Sequence, residues 1–373
     1  MDRIQKEAIV SDLKKKMVLL AGPRQAGKTT LAKAIAEHFS SYIYLNYDRA
    51  ADRRIIKDES WLSSIELLIF DEIHKMPGWK NYLKGVFDTK QDKQKILVTG
   101  SARLEVFRSA GDSLAGRYFL HRLMPFSAAE LSQLEQSVDL DRLMERGGFP
   151  EPYLEISSTE AKRWRSQYAE SLISIDVLDF ENIQNVNAIR LVFELLRERV
   201  GSPLSYTSIA EDVSISVNTV KKYLSILEAL YIVFSIRPFS KKIARSLSKE
   251  PKFYFFDTGI VKGDQGAKFE NLVAMSLYKH LLARNDHFAE NYSLHYLRTK
   301  DQREVDFAIA KDNVMEKMIE VKYAKHQLSD GIRYFHEKYG YPACQLVKDL
   351  KREEKKMGVE ILDAARFLKD LYL

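Results

Sequence analysis

The most specific chemistry in the chain lies in the stretch Gly22-Pro23-Arg24-Gln25-Ala26-Gly27-Lys28-Thr29-Thr30. It fits the pattern G-x-x-x-x-G-K-[ST], a loop that holds phosphate. Gly22 and Gly27 allow backbone angles and a close approach that a Cβ would block, so that successive N–H groups turn toward phosphate oxygens. The start of the following helix adds positive potential. Lys28 is expected to reach the β- and γ-phosphates, and the Thr29 hydroxyl to ligate Mg²⁺. ATP with Mg²⁺ is the expected ligand.

Catalysis needs more than a cradle. The run Leu67-Leu68-Ile69-Phe70-Asp71-Glu72 ends an apolar segment in two carboxylates. Behind a phosphate loop, the first is expected at the metal and the second at the attacking water, so Asp71 is assigned to Mg²⁺ and Glu72 to the water. Ser101, with Thr99 behind it, follows a further apolar run and is the candidate γ-phosphate sensor. Arg117, in Leu114-Ala115-Gly116-Arg117, is the candidate for an arginine that stabilises transition-state charge from a neighbouring subunit, with Arg103 and Arg108 as competitors.

These side chains must be positioned by strands that end near one another. Met17–Leu20 leads into the loop, Leu31–Ala36 continues it as an amphipathic helix, and Tyr42–Asn46, Ile65–Phe70 and Ile96–Thr99 are apolar runs separated by polar helical stretches. This alternation predicts a parallel α/β sheet.

Two further groups of residues have chemical potential. Ser205 to Leu224 reads as helix–turn–helix: Thr207 or Ser208 opens the first helix, Val213-Ser214-Ile215 turns, and Ser216 caps a second. Val217, Val220, Leu224 and Leu227 share one face of that second helix. The other face carries Asn218, Thr219, Lys221 and Lys222, side chains suited to phosphates and base edges. Tyr231–Arg237, a basic turn with Lys241, Lys242, Arg245 and Lys249 to Lys252, and Phe253–Phe256 complete the pattern of a winged helix, with DNA contact expected through both surfaces. Farther on, Asp306 lies in Glu304–Ala310, and Glu320-Val321-Lys322 follows about fourteen residues later on what reads as an adjacent strand. This is similar to the PD-(D/E)xK nuclease core, in which Asp306 and Glu320, with Glu270 from the preceding helix, would hold a metal and Lys322 would orient or deprotonate water.

Gly22 to Thr30, Asp71-Glu72-Ile73, Thr99-Gly100-Ser101, Leu114 to Arg117 and Gly147-Gly148-Phe149-Pro150-Glu151 occur in that order. Over nearly its whole length the chain resembles a large prokaryotic family of AAA-like P-loop ATPases with a C-terminal domain of unknown function bearing restriction-endonuclease-like motifs. His74 departs from the glutamine expected after Asp-Glu-Ile. The resemblance implies an α/β chain in four parts: an AAA-like P-loop ATPase core over 1–126, a helical lid and connector over 127–200, a winged helix over 201–257, and a nuclease-like α/β domain over 258–373.

Composition sets the remaining bounds. A chain of 373 residues suggests two or three domains, and 45% apolar with 29% charged residues is an ordinary globular balance. A net charge of +6, from 58 basic and 52 acidic residues, is too mild to establish nucleic-acid binding by itself. The N-terminus has no apolar signal core, no long apolar run occurs, and the single cysteine, Cys344, excludes a disulfide framework, so a cytoplasmic protein off the membrane is expected. The leading expectation is an ATP-hydrolysing motor or remodeller, a homo-oligomeric ring expected to be a hexamer, acting on DNA such as branched or recombination intermediates. Two alternatives stay open: a metal-dependent DNA nuclease gated by ATP, and a nucleotide-controlled regulatory switch.

Overall fold

A computed structural model describes residues 3–100, 114–134, 138–177, 185–240, 249–324 and 327–373. The chain divides into two compact units, Met1–Met124 and Pro125–Leu373.

The first unit is a five-stranded parallel sheet of β1 (Met17–Ala21), β2 (Tyr42–Asn46), β3 (Leu67–Asp71), β4 (Lys95–Thr99) and β5 (Tyr118–Arg122), in the order β2-β3-β4-β1-β5. Both faces are covered, which is why β1 and β3 are apolar at almost every position rather than at every second one. Val18 and Leu20 pack on one side with Ile9 and Leu13 of α1 (Lys6–Leu13) and with Leu31 and Ile35 of α2 (Lys28–Ala36). Met17, Leu19 and Ala21 face the other side, against Ile56 of α3 (Ala50–Asp58) and Trp79, Leu83 and Val86 of α4 (Trp79–Thr89). The loop after β1 therefore emerges at the carboxyl end of the sheet's interior, where the ends of β3 and β4 lie beside it.

The second unit opens with short helices, α5 (Ala128–Leu134), α6 (Leu140–Arg146) and α7 (Pro150–Leu154). It continues through α8 (Ser158–Ser171), a π turn at Leu172–Asp176 and α9 (Val186–Glu198). The helix–turn–helix follows as α10 (Tyr206–Val213) and α11 (Val217–Ala229). Ser205, rather than Thr207 or Ser208, caps α10 by accepting from the Ser208 N–H, so this helix begins earlier than the sequence suggested. Ser214 turns the chain at φ +57°, and Ser216 caps α11 as expected. The remaining strands, β6 (Val233–Pro238), β7 (Lys252–Phe255), β8 (Tyr292–Arg298), β9 (Glu304–Lys311), β10 (Val314–Lys322), β11 (Ala343–Val347), β12 (Glu354–Lys356) and β13 (Val359–Asp363), form one sheet in the order β12-β13-β11-β10-β9-β8-β6-β7.

This sheet runs across the expected boundary at 257/258. Strand β6 pairs antiparallel with β7 and, through Arg237 and Pro238, parallel with β8. The second edge of β6 is thereby hydrogen-bonded instead of exposed. The long helix α12 (Gln265–Phe288), started by Asp264 accepting from the Ala267 N–H, packs on β7, β8 and β10. Its Tyr278 stacks on Phe234 of β6 with ring centroids 4.2 Å apart. Helices α13 (Asp330–Tyr339) and α14 (Ala364–Lys369) close the unit. Cys344 is buried in β11, the packing role expected of it. Among the described residues, no helix is long and apolar enough to cross a membrane.

Candidate functional site

The phosphate loop follows β1 directly. Gly22 has φ +145°, and a Cβ there would stand 2.2 Å from the Leu123 carbonyl oxygen, so no larger residue fits. Gly27 precedes α2 at φ +95°, and no side chain caps the helix. The first N–H groups of α2 are thus left for a ligand. Lys28 is buried and donates to the carbonyls of Gly22 (3.0 Å) and Pro23 (2.6 Å), folding back over the loop it would serve. Burial lowers its ammonium to about 8, against the opposing pull of Glu72 and Asp71. A polyphosphate would supply the anionic partner that this desolvated cation lacks.

The acidic strand end adjoins it. Thr29 Oγ1 lies 3.4 Å from Asp71 Oδ2, which brings together the two expected Mg²⁺ ligands. Hydroxyl and carboxylate oxygens suit that hard cation, with water completing its shell. Thr99 donates to Asp71 Oδ1 at 2.5 Å, Tyr44 donates to Oδ2, and Asn46 Nδ2 stands 3.4 Å from the same oxygen. The Tyr44 hydroxyl is pushed up to about 12 by burial and the adjoining carboxylate. Glu72 occupies the left-handed region at φ +56°, a conformation that costs energy for a non-glycine residue and occurs often at functional sites. Its Oε2 sits 3.4 Å from Lys75 Nζ and 3.6 Å from His74 Nε2, so the histidine standing where glutamine was expected contacts this carboxylate.

Other candidates are distributed differently. Arg117 lies at the opposite end of the sheet, where its carbonyl accepts from the Met17 N–H at the start of β1. Its guanidinium is held by Asp88 through bonds of 2.8 and 3.0 Å, so it does not join the P-loop of its own chain. Ser101, Arg103 and Arg108 lie outside the described residues, as do Lys241, Lys242 and Arg245. Asn218, Lys221 and Lys222 project from α11 as exposed side chains, with Thr219 half-buried beside them, while Val220, Leu224 and Leu227 are buried.

The C-terminal carboxylates do converge. Glu320 pairs with Lys322 at 2.7 Å on β10, and Asp306 Oδ2 accepts from the Val321 N–H at 2.8 Å. Glu270 Oε1 of α12 accepts from the Tyr254 hydroxyl at 2.7 Å. Lys252 was expected in a basic turn, but it is the first residue of β7 and buried, 1% exposed, 2.5 Å from Glu304 and 3.8 Å from Glu270. Burial raises the Asp306 carboxyl well above its usual range, and Glu270 and Glu320 add to the shift; Glu270 is raised for the same first reason, against the pull of Lys252. Burial alone would lower Lys252 and Lys322, and the surrounding carboxylates hold both above the ordinary value. Among the described residues, no group of three or more His, Cys, Asp or Glu side chains is placed to hold a metal ion. Lys252, Tyr254 and Lys322 engage the members of this carboxylate cluster.

The sequence reading overlooked Tyr44, Asn46 and Arg3. Asn46 is the register partner of Asp71 on β2, and a polar residue ending the strand that neighbours the acidic one was the available signal. Arg3 is buried and donates to the carbonyls of Ala26 and Met124, bracing the loop from the N-terminal segment; nothing local in the sequence marks this role.

Residues 14–132 match the family described as AAA domain, while 137–266 and 265–366 match two domains of unknown function, DUF8612 and DUF4143. An uncharacterized protein of Mycobacterium tuberculosis H37Rv is 26% identical over 308 residues, covering 79% of this chain and 67% of that protein. One from Haemophilus influenzae Rd is 24% identical over 329 residues, covering 79% of each. Among solved structures, the Walker-type ATPase PABY2304 of Pyrococcus abyssi aligns with a TM-score of 0.42 at 15% identity over 69% of this chain and 93% of its own. A RuvB of Thermotoga maritima aligns with a TM-score of 0.34 at 19% identity, over 62% of this chain and 87% of its own. The loop and the Thr29–Asp71 pair both lie within the stretch that matches the AAA domain, and together they have the arrangement of a P-loop nucleotide site.

Proposed function

We propose that the protein is an ATP-hydrolysing motor or remodeller that acts on DNA. The P-loop from Gly22 to Thr30 would bind ATP, Lys28 would bridge the β- and γ-phosphates, and Thr29 with Asp71 would hold Mg²⁺. Glu72 would release Lys75 and orient the attacking water. Arg117 would serve the nucleotide of a neighbouring subunit in a ring, a role supported by its distance from the P-loop of its own chain. Ser101 would sense the γ-phosphate.

The observation that carries the DNA reading is α11, a capped helix with a buried apolar face and with Asn218, Lys221 and Lys222 exposed on the other. Such a helix would enter the major groove, with the lysines on phosphates. The test is fluorescence anisotropy of a labelled duplex against the wild type and the double variant Lys221→Ala, Lys222→Ala. Loss of two phosphate contacts would weaken binding across all sequences and lower the slope of log K against log salt by about 2. An unchanged slope would remove α11 from the interface.

A second reading rests on Glu320, which is 4% exposed and whose Oε2 has no hydrogen-bond partner. An unpaired buried carboxylate oxygen beside Asp306 would suit a divalent cation, giving the second unit a nuclease step with Lys322 near the water. That step would appear as Mg²⁺- or Mn²⁺-dependent cleavage lost in Asp306→Ala, and DNA left intact under both metals would eliminate it.

A further inference from the structure

Residues 127–200 were expected to supply only a lid and connector, yet a cleft of about 360 Å³ opens there between α8, the π turn, α9 and the Thr258–Ile260 turn. Lys162, Arg165, Arg190 and Arg197 line it against two acids, Glu170 and Glu194. Both acids are already engaged. Glu170 takes Arg190 through two bonds of 2.8 Å, and Glu194 takes Arg197 at 2.8 Å and Lys262 at 2.6 Å. Arg197 also donates to the Ile260 carbonyl at 2.7 Å.

Arg165 is the exception. It is 9% exposed, it makes no hydrogen bond or ion pair with any described residue, and its Nη1 is fully buried without a partner. The chain makes room for it, since a Cβ on Gly259 would stand 2.7 Å from Arg165 Cδ. Burial lowers the guanidinium, while Asp257 and Glu145 act on it from beyond ion-pair distance and Arg146 opposes them. Asp257, the nearer of these acids in effect, accepts from the Gly259 N–H through one oxygen while its Oδ2 is buried without a hydrogen-bond partner, and burial pushes its carboxyl up to about 7. A buried guanidinium nitrogen without a hydrogen-bond partner is unfavourable, and an anion in the cleft would relieve it.

We propose that this cleft binds a phosphomonoester dianion, with Arg165 as the principal donor and the exposed Lys162 closing over it from the rim. Among the lining side chains four cations stand against two acids, an excess of positive charge that suits a phosphate dianion. The planar guanidinium fork matches phosphate oxygens, and Ile173 and Ile260 offer apolar surface for a small organic group attached to them. The proposal does not rest on the ATPase or DNA reading.

Inorganic phosphate, a nucleoside monophosphate and the 5′-phosphate of a nucleic-acid end all present this chemistry. The test uses the full chain carrying Lys28→Ala, so that the P-loop does not contribute, titrated calorimetrically with phosphate, AMP, sulfate, and one oligonucleotide with and without a 5′-phosphate. The expected result is saturable binding of at least one phosphomonoester more tightly than sulfate, weakened about 10–100-fold by Arg165→Gln. Lys162→Ala, a surface change that leaves the fold intact, is expected to weaken the same probe by a smaller factor. The probe that binds identifies the source: phosphate alone, the nucleotide, or the phosphorylated end over its hydroxyl counterpart. Absence of binding by every phosphomonoester, equal affinity for sulfate, or affinities unchanged in both variants would overturn the proposal.

Discussion

Lys28→Ala is expected to abolish ATP turnover, and Glu72→Gln to abolish it by a different route. The lysine is a desolvated cation that folds onto the Gly22 and Pro23 carbonyls, with its ammonium lowered to about 8 by burial. Removing it takes away both the charge that would meet the γ-phosphate and a donor to the developing transition-state charge, an effect of about 10²–10³-fold in kcat with binding also weakened. Glu72→Gln leaves the loop and the Thr29–Asp71 pair in place and removes only the carboxylate proposed to orient water. ATP should therefore bind with near-normal affinity while kcat falls by about 10²–10⁴-fold. Fluorescent-nucleotide binding measured alongside phosphate release separates the two outcomes. A Glu72→Gln protein that hydrolysed ATP at the wild-type rate would move the water-orienting role to another residue.

The second large effect is on stability. Lys252→Met should cost about 3–5 kcal/mol in urea unfolding, the usual result of removing one partner of a buried ion pair. Lys252 is 1% exposed and stands among Glu304, Glu270 and Asp306, so a methionine of similar volume fills the space but leaves mutually repelling carboxylates without their cation. Lys252→Arg would retain the charge and lose less. If Lys252→Met unfolded at the wild-type urea concentration with an unchanged slope, the cluster would be held by contacts other than this ammonium.

The P-loop and Asp71 were legible in the sequence because their chemistry is local. Every residue from Gly22 to Thr30 acts through its own backbone or an adjacent helix turn, and an apolar strand ending in acid announces its position by pattern alone. Ser216 was legible for the same reason, as a cap immediately before a periodic helix. Tyr44 and Asn46 were not, because they meet Asp71 only through the pairing of β2 with β3, and register is set by the sheet rather than by any short segment. Lys252 misled because its sequence neighbours are basic and polar, whereas its depth is fixed by β7 pairing with β6 and by carboxylates arriving from α12 and β9. The cleft around Arg165 was hidden in the same way: its cations are spread over two helices, and only their packing reveals that one of them lacks a partner.

The central claim is that ATP hydrolysis by the N-terminal unit is coupled to DNA. The most direct measurement is steady-state phosphate release by the full chain with Mg²⁺-ATP, alone and with single-stranded, duplex and branched DNA, beside Lys28→Ala. The account predicts Mg²⁺-dependent turnover that rises with at least one DNA form and disappears in the variant. Turnover no greater than that of Lys28→Ala, or a rate that no DNA form changes, would contradict it.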